Sequence, residues 1–180
     1  MLVFTHFVVL LSAASALAIP RKRDVASVEA AVAKISNQVT DLDDKITAFP
    51  DTGGNLGTAL AIHSSAGNLG TSLKSGASDT QATAAFSEAD GQAILASVEK
   101  FEPTILDALK VIVAKKPAFQ ALPLPGITGL VLQDLQVLST NTGAFADALI
   151  AKSPADLADK ANEIKSNIAS AFATAVAAYS

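Results

Sequence analysis

Between Val25 and Phe49 the apolar residues recur at a helical interval. Val25, Val28, Val32, Ile35, Val39, Leu42, Ile46 and Phe49 alternate steps of three and four. At about 3.6 residues per turn, that spacing draws one apolar stripe along one helix face. Asp41, Asp43, Asp44 and Lys45 fall off the stripe, and Pro50 marks its end. A helix of about 25 residues with so narrow a stripe needs partners to cover it.

A second stripe runs through Leu56, Ala59, Ile62, Ala66, Leu69 and Leu73. Within it "GNLGTAL", starting at Gly54, is echoed thirteen residues later by "GNLGTSL", starting at Gly67. On a helix the two copies are rotated by roughly 220° from one another, so they do not build one face. Gly57, Gly67 and Gly70 each weaken a helix by up to about 1 kcal/mol against Ala. Their use is close approach of a neighbouring backbone, or a bend. A phosphate-binding loop would need a strand before the glycines and a closing Gly-Lys-Ser/Thr. Neither copy has them, and Lys74 stands in the wrong place.

"SDTQ" then offers Ser78 as an N-cap with Gln81 at the third helical position, a capping-box pattern. The helix it would open carries Phe86, Ile94, Val98, Phe101, Ile105, Leu109 and Ile112. Pro103 lies inside that stripe, whose phase continues across it, which favours one helix kinked near residues 100–102 over the alternative of two helices. "KKPAFQALPLPG" is the main break, with Pro117, Pro123 and Pro125. Its apolar Phe119, Leu122 and Leu124 suit either a loop packed over the bundle end or a mobile lid over a cavity.

A fourth helix is predicted from Gly126 or Ile127 to Ala151, with Val131, Leu135, Leu138, Phe145 and Leu149 on its stripe. "SPAD" restarts the chain, Ser153 being the predicted cap and Pro154 sitting where its missing donor is harmless. The last helix uses Leu157, Ala161, Ile164, Ile168, Phe172, Val176 and Tyr179. No segment reads as a strand. The expected fold is all-α: an antiparallel bundle of about five amphipathic helices joined by short loops. Small residues on the stripes either draw helices together or leave an internal apolar cavity.

The chain begins "MLVFTHFVVLLSAASALA", an apolar run ending in small residues. Residues 1–18 read as a secretory signal peptide, too short and too Ser/Ala-rich at its end for a membrane span. "IPRKR", residues 19–23, reads as a short propeptide with a dibasic processing site after Arg23. A basic flank that stays on is the alternative. Residues 24–180 then form the helical bundle domain. No hydrophobic lipid-anchor signal is read in "AFATAVAAYS", so no transmembrane or lipid anchoring of the mature form is expected.

Residues 24–180 hold all 17 acidic residues but only 10 of the 13 basic ones. This surface repels nucleic acid and anionic headgroups. Cysteine is absent, so no disulfide supplies stability. Alanine supplies 32 residues of this stretch against six phenylalanines and one tyrosine, which favours closely packed helices.

Reactive chemistry is sparse. His63 is the one histidine after residue 23, and without cysteine a metal site would need carboxylates around it. Asp41, Asp43 and Asp44 lack the spacing, glycine and closing glutamate of a calcium loop. Glu99 and Glu102 read as a solvated pair, and no G-x-S-x-G elbow presents a nucleophile. No catalytic residue, metal ligand or cofactor is predicted, and the protein is expected not to be an enzyme. An apolar interior can nevertheless bind by area alone, at roughly 0.8 kcal/mol per buried methylene. The same helices can instead lie on an oily or waxy surface with their apolar faces down.

Four stretches together carry a family resemblance: "RDVASVEAAVAKISNQVTDLDDKITAF", "GGNLGTALAIHSSAGNLGTSLKSG", "FEPTILDALKVIVAKKPAF" and "SPADLADKANEIKSNIASAFATAVAAY". With the signal peptide they resemble the fungal hydrophobic surface-binding protein A group, which includes cell-wall galactomannoproteins. The resemblance covers about residues 24–179 and rests on order and pattern, not on a sharp motif. It implies a secreted or wall-associated helical bundle that binds hydrophobic surfaces or fatty acids. It also implies recruitment of a secreted lipolytic or polyester-degrading enzyme. The chain lacks the Ser/Thr-rich tail of the wall-attached members, which favours a released form. A structural wall protein without a ligand and an ester hydrolase are the alternatives. Candidate lipid contacts taken from the stripes are Leu60, Leu73, Phe86, Leu109, Leu135, Phe145, Ile168 and Phe172. The same positions also suit an ordinary core.

Overall fold

The computed structural model describes residues 24–180; the expected signal peptide and propeptide lie outside them. Six α-helices follow in order: α1 Val25–Ala48, α2 Leu56–Ala82, α3 Glu88–Ala114, α4 Lys116–Gln120, α5 Ile127–Lys152 and α6 Ala158–Tyr179. A single 3-10 turn, Ala155–Leu157, leads into α6. The five long helices are those of the stripes. The sixth, α4, falls inside the proline-rich break: Pro117 sits in its first turn, where the missing amide has no intrahelical partner to lose.

The helix starts follow local chemistry. Asp24 caps α1, its carboxylate accepting the Ser27 amide at 3.0 Å and the Ser27 hydroxyl at 2.7 Å. Asn55 caps α2 through the Thr58 amide at 2.9 Å. The predicted cap at Ser78 does not form. There α2 continues to Ala82, with Thr80 fully buried and its hydroxyl donating to the Gly76 carbonyl at 2.7 Å. The cap of α3 is Ser87, which accepts the Asp90 amide at 3.2 Å and donates to the Asp90 carboxylate at 2.7 Å. Burial of Gly76, Ala77 and Thr80 keeps the chain helical through a sequence that locally suits a start. Ser153 is a second correction. It ends α5, its hydroxyl donating to the Leu149 carbonyl at 2.9 Å, and makes no cap for α6. Pro103 lies within the single helix α3, as the unbroken stripe required.

The long helices close into a ring in the order α1, α2, α5, α6, α3, each packed on two neighbours. The pairs α1–α2 and α5–α6 are antiparallel: Asp41 meets Ser65 while Ile35 lies by Gly76, and Asp147 meets Lys165. The pair α2–α5 is parallel, because His63 meets Asp134, Gly70 meets Asn141 and Gly76 meets Phe145. The pair α3–α6 is also parallel, through Glu102 to Asn167 and Ile112 to Tyr179, and these directions make α1–α3 parallel too. The expectation of antiparallel neighbours thus holds for two of the seams. The chain crosses the end of the bundle between α2 and α3, which are consecutive but do not pack as a pair.

One end of the ring is closed. Phe119 of α4 stacks on Phe49 with ring centroids 4.4 Å apart, and both are 1% exposed. Lys115 pairs with Asp51 at 2.8 Å, and Lys116 donates to the Ala178 carbonyl beside the Tyr179 ring. The proline-rich segment is therefore a packed cover on the bundle end, with Leu122 buried beneath it and Leu124 outside.

Candidate functional site

A ring of five helices is wider than a four-helix bundle, so its axis is filled by side chains alone. Leucine and isoleucine dominate the inward stripes, with small residues such as Ala59, Ala66 and Ala108 buried among them. Two apolar pockets lie among the five long helices. The first, of about 140 Å³, draws on all five long helices, including Ile35, Leu73, Phe101, Phe145, Leu149 and Ile168. The second, of about 70 Å³, lies nearer the closed end, against Ile46, Leu109, Ile112, Phe119, Ile127 and Leu135. Val39, Leu69, Ile105 and Phe172 line both, so the pockets adjoin along the bundle axis.

Polar groups reach the pockets at two places. At the second, His63 Nδ1 and the Asp134 carboxylate lie 2.8 Å apart, bridging α2 and α5. Burial pushes the Asp134 pKa up from its ordinary value, and the His63 contact opposes that rise. The first is lined by Ser139 and Thr142 of α5, Ser153 just after it, and Lys165 of α6. Lys165 is the one charged residue lining that pocket, and its ammonium pairs with Asp147.

The candidate contacts divide. Leu73, Phe145 and Ile168 line the first pocket, Leu109 and Leu135 the second, and Phe172 both. Phe86 is buried but lines neither; it sits in the α2–α3 crossing, its amide donating to the Lys152 carbonyl at 2.8 Å. Leu60 is 44% exposed on the outer side of α2. The α3 wall of Ile94, Leu95, Val98 and Phe101 was not among the chosen contacts, although all but Leu95 stood on the predicted stripe. Lys165 gave one signal: it follows Ile164 directly, at the edge of the α6 stripe.

Three of the groups considered for catalysis are otherwise engaged. His63 meets Asp134, Asp41 is held below its ordinary pKa by Lys45, and Glu102 accepts from Asn167 at 3.1 Å. Among the described residues no group of three or more His, Cys, Asp or Glu is placed to hold a metal ion, and no helix is long and apolar enough to cross a membrane.

A helical ring with adjoining apolar pockets defines a class: a bundle that presents area instead of reactive groups. The chain belongs to a family within that class, since residues 25–151 match the family described as "Hydrophobic surface binding protein A". It is similar to cell wall mannoprotein 1 of Aspergillus fumigatus, 26% identical over 178 residues, which are 98% of this chain and 60% of that protein. The chain thus spans less than two thirds of that relative. Among solved structures it resembles AFMP4P in complex with palmitic acid, with a TM-score of 0.80 and 29% identity over 87% of this chain and 100% of the other. The ligand-binding domain 2 of Penicillium marneffei MP1, complexed with multiple arachidonic acids, shares the fold. Its TM-score is 0.76, with 20% identity over 89% of this chain and 98% of that one.

Proposed function

We propose that this chain is a secreted, non-catalytic protein that encloses a fatty-acid-like lipid inside its helical ring. One observation carries the reading: the two apolar pockets share Val39, Leu69, Ile105 and Phe172, so they adjoin, and in this reading one acyl chain runs through both. Eight methylenes moved out of water there would contribute about 6 kcal/mol before ordering costs. The palmitic acid named in the complex of similar AFMP4P supports the ligand class. The contacts in this reading are Leu73, Leu109, Leu135, Phe145, Ile168 and Phe172. The functional unit is residues 24–180, released after Arg23, a boundary consistent with Asp24 being the cap of α1.

Lipid extraction and mass spectrometry of protein secreted by its natural host test the proposal. Stoichiometric fatty acid is expected, and delipidated protein should take up palmitate. Absence of both would overturn it.

A second reading is adsorption to solid apolar surfaces. It is favoured by α2 and α5, where Leu60 and Val137 are 44% and 47% exposed. Between Leu56 and Leu73, and between Ile127 and Gly143, His63 and Asp134 are the only titratable residues, and they pair with each other. That flank carries little charge to desolvate on an oily particle. Leu60→Asp with Val137→Asp should weaken retention on polyester particles and leave palmitate uptake unchanged. Unchanged retention would remove this reading.

A further inference from the structure

Apart from Ser153 at the end of α5, the first pocket is apolar except along one seam. Where α5 meets α6 its lining turns to Ser139, Thr142, Gly143 and Ala146 on one side and Ala161, Lys165 and Ala169 on the other. Apart from the exposed Ala169, these residues are half-buried, and small side chains leave the seam the thinnest part of the wall. The Lys165 side chain lines the pocket and is 36% exposed, and its ammonium pairs with the more exposed Asp147. The polar contribution to the second pocket is different. Asp134 brings negative charge there, and His63 is already engaged with it.

We propose that Lys165, with the Thr142 and Ser139 hydroxyls, forms an anion-binding mouth that fixes the orientation of an acidic lipid. This rests on the lipid-binding reading and adds to it a head-group class and a direction. The carboxylate sits at the α5–α6 seam. The acyl chain runs inward past Phe172 toward the closed end of the bundle. Three donors on the ammonium allow Lys165 to keep Asp147 while it meets a second carboxylate. The reverse orientation would set the ligand carboxylate beside Asp134, where like charges disfavour ionisation. A lysine stem lying over an apolar wall is the ordinary use of such a residue, and would need only the methylenes. The difference between the two roles is the charge.

The experiment compares palmitate with methyl palmitate, which has the same chain and no charge. Both displace a neutral fluorescent probe from delipidated protein at neutral pH. Wild type is expected to bind palmitate about tenfold more tightly than the ester, the scale of one charge-assisted hydrogen-bonded pair. Lys165→Met keeps the stem and should abolish that preference while leaving ester affinity within about twofold. Lys165→Arg should retain the preference, and Asp147→Asn should widen it by releasing Lys165 from its partner. Helicity of each variant, followed by circular dichroism, separates a lost charge from a lost fold. Equal binding of acid and ester by wild type, or an undiminished preference in Lys165→Met, would overturn the anchor and leave lipid binding standing. Failure of wild type to bind either ligand would overturn both.

Discussion

Where α2 meets α5, the two helices run parallel and are joined by small residues and paired polar groups. A Cβ built at Gly70 would lie 3.6 Å from both Val137 and Asn141, and the Asn141 amide donates to the Gly70 carbonyl at 3.1 Å. Where α3 meets α6, also parallel, the contact uses bulk. Ile105, Ile164, Ile168 and Phe172 converge there, and Tyr179 donates to the Ile112 carbonyl at 2.7 Å. The first seam brings backbones close, and the second holds them apart with side chains. The difference predicts opposite responses to changes in side-chain size.

The largest effect should come from removing bulk. Phe172 is buried and lines both pockets, so Phe172→Ala joins them into a larger void. Urea unfolding of the lipid-free protein is expected to show a loss of about 3–5 kcal/mol. A loss under about 1 kcal/mol would mean that the site already collapses without help.

Adding bulk to the other seam comes next. A Cβ at Gly76 would stand 3.0 Å from the Phe145 ring and 3.4 Å from Ile35. Gly76→Val should cost about 1–3 kcal/mol by overpacking, read as a lower melting temperature.

Tyr179→Phe sharpens the comparison through pH. Loss of its hydrogen bond to Ile112 should cost about 1 kcal/mol near neutrality. Burial raises the phenol pKa above its ordinary value of 10.0. The folded state therefore keeps this proton when the unfolded state has released it. Wild-type stability should be level below that value and fall as pH rises beyond it. The difference between wild type and variant should shrink in that alkaline window, as denaturant midpoints measured across it would show.

The smallest effect has the opposite sign. No neighbour lies within 4 Å of a Cβ at Gly67, although it stands in the same repeat as Gly70. Gly67→Ala is expected to stabilise by up to about 1 kcal/mol, seen as a raised melting temperature. Destabilisation would show that Gly67 serves a close approach after all.

These glycines mark the limit of legibility. "GNLGTSL" is visible as small-residue helix, but nothing local tells Gly70 from Gly67: one faces α5 and the other solvent. The same limit explains the cap. "SDTQ" at Ser78 and "SEAD" at Ser87 both carry starting chemistry, and burial of Thr80 decides between them. The α6 stripe supplied Ile168 and Phe172 as candidate contacts. Lys165 beside them became visible as a pocket residue only when α5 was laid against α6.

The sequence by itself determined the five long helices, the apolar face of each, and the absence of a familiar reactive motif. Those properties follow from spacings of three and four and from residue types a few positions apart. Tertiary structure alone decided the ring order, the three parallel seams, the cover formed by α4, and which stripe residues meet across the axis. Those depend on contacts between residues as distant as His63 and Asp134, where the fit of one helix surface to another, and not periodicity, selects the partner.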